Sequence, residues 1–202
     1  EYVDKTALYM QSLWTKQPDG RMEEALFANN LPKPTALLDA RAVPGSSHVI
    51  ASLTPHNGQS VGAIGMVDTD RGKNDLAAVF NFTPEYPVEM DQGLRVGPCD
   101  PWPLSETDVL ISNNAIGEHG IIELVDRAGN RELVHADPAI SCYAPMLVKP
   151  RPRPPVARPA AEPQEPGRFL LVDVYQGLTG ISRGTVKRLR IVEETARTSG
   201  LF

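Results

Sequence analysis

A strand–turn–strand pattern that occurs twice is the feature that most constrains how this chain can fold. The first copy joins His48–Ser52 to Gly62–Gly72, and the second joins Asp108–Ser112 to Gly120–Asn130, about 60 positions later. In both copies the second apolar segment ends in Val-Asp before a glycine-bearing turn. Repeats of this kind are typical of β-propeller blades, which must pack against neighbouring blades to bury their faces.

A weaker third copy lies near residues 7–27. Residues 7–14 have the composition of a strand, a Pro-Asp-Gly turn follows, and Met22–Phe27 suits either a returning strand or a short helix. Residues 1–148 are therefore predicted to be β-propeller blades of an incomplete ring, with signatures near 7–27, 35–82 and 104–148. Because open sheet edges are prone to association, we expect the isolated chain to be marginally stable or oligomeric.

Proline marks the boundaries between these segments. Cys99–Leu104 is predicted to be a connector, since proline cannot donate to a strand ladder. From Lys149 the composition changes, and seven prolines with three interleaved arginines occupy positions 150–166. This pattern predicts a semi-rigid linker over 149–167. Residues 168–202 are predicted to begin a further β segment, with a strand pair at 168–177 and 184–192.

The bulk composition is that of a globular protein. The chain has 202 residues, of which 41% are hydrophobic and 22% charged, with a net charge of -5. This charge gives no reason to expect a nucleic-acid partner. No apolar run approaches the roughly 20 residues that a membrane-spanning helix needs, so no membrane span is expected.

Few residues stand out as candidates for a functional site. His56 and His119 lie in the loops that join the paired strands of the two copies, and equivalent loops lie on one face of a propeller, so both are candidates for facing a ligand there. The interpretation favoured from the sequence is two exposed loop histidines. Cys99 is a candidate metal ligand, although a buried inert thiol is the default interpretation.

Longer motifs assign no catalytic residue. The chain contains no Cys-x-x-Cys, His-Glu-x-x-His or Cys-x-x-Cys-His, so no local motif holds zinc or covalent haem. Gly180–Gly184 matches the nucleophile elbow of serine hydrolases. No histidine follows it in the chain, and a glycine-bearing hairpin loop explains it better.

With these segments in place, the chain resembles the middle region of the hydrazine synthase alpha subunit family, which comprises large, often multi-haem proteins of planctomycetes and other bacteria. The resemblance covers most of the chain. Its most specific part is the block Asp173–Gly177 followed by Arg183–Arg190. Further matching segments are Leu13-Trp14, Pro18–Gly20, Asn29-Asn30, Gly129–Leu133, Asp137-Pro138, Cys142 and Lys149–Pro155.

The resemblance implies a TolB-like propeller beside a β-rich segment in a redox protein that is periplasmic or otherwise exported. In hydrazine synthase the alpha subunit helps to join nitric oxide and ammonium-derived nitrogen at c-type haem. This chain lacks the haem-attachment motif, so any haem would belong to adjacent sequence and the chain itself would be a non-catalytic part of the oxidoreductase. Its partners would be the remainder of a longer chain or other subunits. The alternative is a stand-alone propeller that binds a carbohydrate or a protein.

Overall fold

The fold is all-β, as predicted. The computed structural model describes residues 11–18, 23–55, 59–88, 94–115, 119–150, 153 and 168–191. Helical structure in these residues is limited to two 3₁₀ turns, Thr69–Arg71 and Leu76–Ala78. Within the described ranges, no helix has the length and apolar character needed to cross a bilayer.

The described strands form three antiparallel sheets. A hairpin consists of β1 (Leu13–Thr15) and β2 (Glu24–Phe27). Sheet A contains β3 (Ala36–Ala42), β4 (Val49–Thr54), β5 (Ala63–Val67) and β6 (Val79–Asn81). Sheet B contains β7 (Pro98–Pro103), β8 (Asp108–Asn113), β9 (Ile121–Asp126) and β10 (Arg131–His135). In both four-stranded sheets the strands lie side by side in chain order.

The two copies of the repeat form the central strand pairs of the two sheets. Ser52 pairs with Ile64 between β4 and β5, and Ser112 pairs with Ile122 between β8 and β9. The predicted strands are therefore confirmed, and the two pairs have equivalent register. The weaker copy forms only the short hairpin, in which the returning segment is strand and not helix. Parts of that prediction, residues 7–10 and 19–22, lie outside the described residues.

One prediction about proline was wrong. Cys99–Leu104 was predicted to be a connector, but residues 99–103 belong to strand β7 (Pro98–Pro103), which pairs with β8. It carries three prolines because it lies at the edge of sheet B, where only one side of the strand needs to hydrogen-bond. The ladder is also interrupted between Cys99 and Trp102, so Pro101 lies in a bulge where no ladder donor is required.

The sheets stack face to face around two apolar clusters. One face of sheet A packs on the hairpin, with Phe27 and Leu53 fully buried between them. The other face of sheet A packs on sheet B, where Ile50, Ile64 and Met66 meet side chains of β8 and β9. The residues that sheet B contributes to this second cluster are Val109, Ile111 and Val125, which define its inner face. Alternation along the strands puts Leu110 and Leu124 on the opposite, outer face.

The chain divides into two compact units, one formed by residues 1–17 with 21–154 and the other by 18–20 with 155–202. The main boundary, between residues 154 and 155, falls inside the linker predicted over 149–167. The three sheets all belong to the first unit.

The strand pair predicted at 168–177 and 184–192 was wrong for the described residues of the second unit. Residues 168–191 form turns and extended chain without strand pairing. Gly177, Gly180 and Gly184 all have positive φ, so the backbone turns repeatedly where a strand would have to run straight. The Asp173 carboxylate accepts hydrogen bonds from the Tyr175 N–H and the Arg183 guanidinium, which stabilises these turns.

Candidate functional site

Of the two histidines predicted to face a ligand, His119 belongs to the described residues and His56 does not. His119 is half-buried in the loop between β8 and β9. Hydrogen bonds from the backbone N–H groups of Ala139 and Ile140 have the largest effect in lowering the pKa of Asp137. The charges of His135 and His119 lower this pKa further. His119 therefore has an acidic neighbour, Asp137, that sequence reasoning missed, and its role in ligand binding stays a prediction.

Cys99 lies on β7 and is 6% exposed. Its thiol donates to the Asp100 carboxylate, with Sγ 3.4 Å from Oδ2. Burial raises the pKa of the Cys99 thiol far above its usual range, and the charges of Asp100 and Asp39 raise it further. Because the thiolate is the form that binds metals and attacks electrophiles, this environment favours the inert alternative.

Asp39 and Asp100 occupy equivalent positions on the first strands of sheets A and B. The ladder between β3 and β4 is interrupted between Leu38 and Arg41, and the ladder between β7 and β8 between Cys99 and Trp102. In each bulge the aspartate has a left-handed backbone conformation, with φ of 53° for Asp39 and 49° for Asp100. Aspartate and asparagine tolerate this conformation better than most residues.

The charge of Asp100 acts on Asp39. The pKa of Asp39 is raised above its ordinary value, mainly because partial burial disfavours the charged form and secondly because Asp100 carries a like charge, while the charge of Arg41 opposes the shift. Asp39 thus carries an unfavourable negative charge at the bulge of β3.

A third segment repeats the geometry of the two bulges. Ala144 also has a left-handed conformation, with φ of 53°, and it precedes a proline as Asp100 does. Its N–H donates both to Ser112 Oγ at 2.9 Å and to Asp100 Oδ2 at 3.2 Å. Just before it, the Cys142 N–H donates to the Gly120 carbonyl at 2.8 Å. Residues 142–148 thus lie against β7 and β8 with the backbone turn found in β3 and β7.

The described residues supply no site for a bound metal, and the sequence has no motif for attaching haem. Cys99 and Cys142 are both free, and the sequence lacks the paired cysteines and histidine that attach c-type haem. In the part of the chain that the structure describes, no three histidine, cysteine, aspartate or glutamate side chains are arranged to hold a metal ion.

Comparisons of the chain with protein families, with curated proteins and with solved structures found no match. The site therefore has to be interpreted from its own residues.

Sequence reasoning missed Asp39, Asp100 and the segment around Ala144. A signal for the two aspartates was present, because they are about 60 positions apart, as are Ser52 and Ser112. Extending the repeat toward the N-terminus by one strand would have aligned Leu38-Asp39 with Cys99-Asp100. The prolines of β7 concealed this alignment, since they suggested a connector.

Proposed function

We propose that this chain is a scaffold region of a β-propeller within an exported, haem-containing redox protein of the hydrazine synthase alpha type. In this proposal the chain holds no complete active site of its own. Its sheets act as blades that position neighbouring parts of the longer protein or other subunits, and c-type haem binds to adjacent sequence.

The observation that carries the propeller part of the proposal is the equivalence of sheets A and B. Each is a four-stranded antiparallel sheet with its strands in chain order, as a propeller blade is. They stack face to face, and the first strand of each has a bulge with a left-handed aspartate. Equivalent packing and equivalent first strands favour blades over two unrelated sheets of a sandwich, whose strands commonly follow Greek-key connections.

Support for the redox part comes from the sequence resemblance, above all from Asp173–Gly177 and Arg183–Arg190. In the described structure these segments share one small network. The Tyr175 hydroxyl accepts hydrogen bonds from the N–H groups of Gly184 and Val186, and Asp173 binds Arg183. The residues that carry the resemblance thus hold the local fold of the second unit together, which is consistent with a scaffold role.

The second candidate is a stand-alone propeller that binds a protein or a carbohydrate. Exposed apolar side chains at Tyr143, Met146 and Val148 favour a protein partner within this candidate. This function needs no haem and no export.

Purification of the intact native protein that contains this chain separates the two candidates. Its pyridine haemochrome spectrum should show c-type haem, and peptide mass spectrometry should place the attachment outside residues 1–202. Recovery from the periplasmic fraction is expected. A haem-free protein, or haem attached within these residues, would contradict the redox proposal.

A further inference from the structure

We propose that the outer face of sheet B, together with residues 142–148, is the docking surface for a further antiparallel sheet that presents β-branched side chains and a basic residue. This inference deepens the proposed scaffold function and rests on its propeller part. It names the face that receives a partner, the strand that begins the contact and the chemistry of the partner.

The outer face of sheet B is equivalent to the face of sheet A on which sheet B packs. Ile50 pairs with Met66 across sheet A, and Leu110 pairs with Leu124 at the equivalent place in sheet B. Ile50 and Met66 are 1% and 3% exposed because Val109, Ile111 and Val125 pack on them. Leu110 and Leu124 remain half-buried, so the same apolar positions lack such a cover among the described residues.

Residues 142–148 are already placed as the first strand of such a cover. Sheet B begins its contact with sheet A through β7, and the Gly62 N–H of sheet A donates to the Pro98 carbonyl at 3.0 Å. At the equivalent glycine of sheet B, the Gly120 carbonyl accepts from Cys142. The segment belongs to none of the described sheets, and Tyr143, Met146 and Val148 are 51%, 64% and 92% exposed. A segment outside the sheets with exposed apolar side chains can join a partner by strand addition.

Charge on this face specifies the partner further. At the interface of sheets A and B, the Arg127 guanidinium lies 4.2 Å from the centre of the Phe80 ring and beside His48 and Asp68. The register makes Asp108, Asp126 and Glu132 of sheet B equivalent to His48, Asp68 and Phe80. Three carboxylates thus surround the place where a basic side chain of the next sheet would lie.

These carboxylates border an open depression of about 360 Å³ that Leu124, Asn130 and Arg131 also line. The Arg131 guanidinium is already paired with Glu123 and Glu85, so the three carboxylates keep the depression acidic. The side-chain hydrogen bond from Asn130 has the largest effect in lowering the pKa of Asp126, and the Asn130 backbone N–H lowers it further. Both hydrogen bonds keep the Asp126 carboxylate ionised. Two copies of this chain that met through this face would bring six carboxylates together. The charge therefore favours a basic partner sheet over a second copy.

Titration of the full chain with two synthetic hairpin peptides tests the proposal. Both peptides alternate valine with threonine, and one carries arginine at its turn where the other carries glutamate. At low salt the arginine peptide should bind at least about tenfold more tightly, because opposite charges attract across a partly desolvated surface. Binding should protect the backbone amides of Tyr143, Ala144 and residues 146–148 from hydrogen exchange.

Two matched variants locate the contact. Leu124→Asp should abolish binding, whereas Leu133→Asp, at an exposed leucine of the same sheet, should leave it unchanged. Glu132→Gln should weaken binding of the arginine peptide only. Circular dichroism of each variant checks that it folds as the unaltered chain does.

Several results would overturn the proposal. These are equal binding of both peptides, no binding, or protection confined to β10. Sedimentation of the chain as a dimer that Leu124→Asp dissociates would show that a second copy is the occupant. None of these results changes what the haem measurement would show. The proposed docking surface can therefore be disproved without disproving the proposed redox function, and the reverse also holds.

Discussion

At the scale of single residues, the least replaceable polar group is the Glu123 carboxylate on β9. Its side chain is 7% exposed, and it accepts hydrogen bonds from Asn113 Nδ2 at 2.7 Å and from Arg131 Nη1 at 3.1 Å. Arg131 also binds Glu85. A buried carboxylate is stable only while such partners remain, so the network holds the inner face of sheet B in one arrangement.

Arg131→Leu should therefore lower the free energy of unfolding by about 3 kcal/mol, because it leaves Glu123 buried without its cationic partner. Urea denaturation measures this loss. Glu132→Gln, at the exposed neighbouring position, should change stability by less than about 0.5 kcal/mol. The double variant Glu123→Leu with Arg131→Leu should recover most of the loss. A cost below about 1 kcal/mol for Arg131→Leu would contradict this account.

The two cysteines should differ in reactivity, because Cys99 is buried with a raised pKa whereas Cys142 is half-buried. At pH 8, Ellman's reagent should modify Cys142 in the native chain and Cys99 only after unfolding in urea. Cys142→Ser should leave no fast reaction. Fast modification of Cys99 in that variant would show that its thiol is accessible and that the inert assignment is mistaken.

At the scale of elements, the strands that repeat were predictable and the first strand of sheet B was not. β4, β5, β8 and β9 are apolar segments, β5 and β9 share a Val-Asp ending, and that local pattern was enough. The residues of β7 can form a strand because the strand lies at the sheet edge and contains a bulge. The strand preferences of single residues predict neither feature. The contact of Ala144 with Asp100, 44 positions away, depends on the stacking of whole strands.

The aspartates in the bulges of β3 and β7 lead us to expect that the stability of the chain depends on pH. Because the native pKa of Asp39 is raised, the native state binds its proton more tightly than the unfolded chain does. Ionisation of Asp39 therefore lowers stability as pH rises from the ordinary aspartate value, about 4, through the raised native value. Asp39→Asn removes this penalty and keeps a residue that tolerates positive φ.

Asp39→Asn should consequently be more stable than the unaltered chain at pH 7, with the gain shrinking toward pH 3.5. Urea denaturation at both pH values measures the difference. In an Asp100→Asn background the gain should be smaller, since the like charge is gone. A gain that is the same at both pH values would show that charge is not its cause.

At the scale of the whole molecule, the three stacked sheets leave one apolar face without a matching sheet among the described residues. Burial of Leu110 and Leu124 by another sheet would complete the pattern that sheet B establishes on sheet A. The 202-residue chain by itself should therefore be marginally stable, or associate through its open sheet edges rather than through this acidic face. Thermal melting with sedimentation velocity tests this expectation, which a monomer with a cooperative, high-temperature transition would contradict.

The central claim, that sheets A and B are successive blades and that residues 142–148 begin the next one, is tested most directly by a cryo-electron microscopy map of the intact native protein. The map should show residues 142–148 paired within a four-stranded sheet that covers Leu110 and Leu124, as part of a closed ring. A map in which the outer face of sheet B meets solvent, or in which residues 142–148 pair with no strand, would contradict the claim.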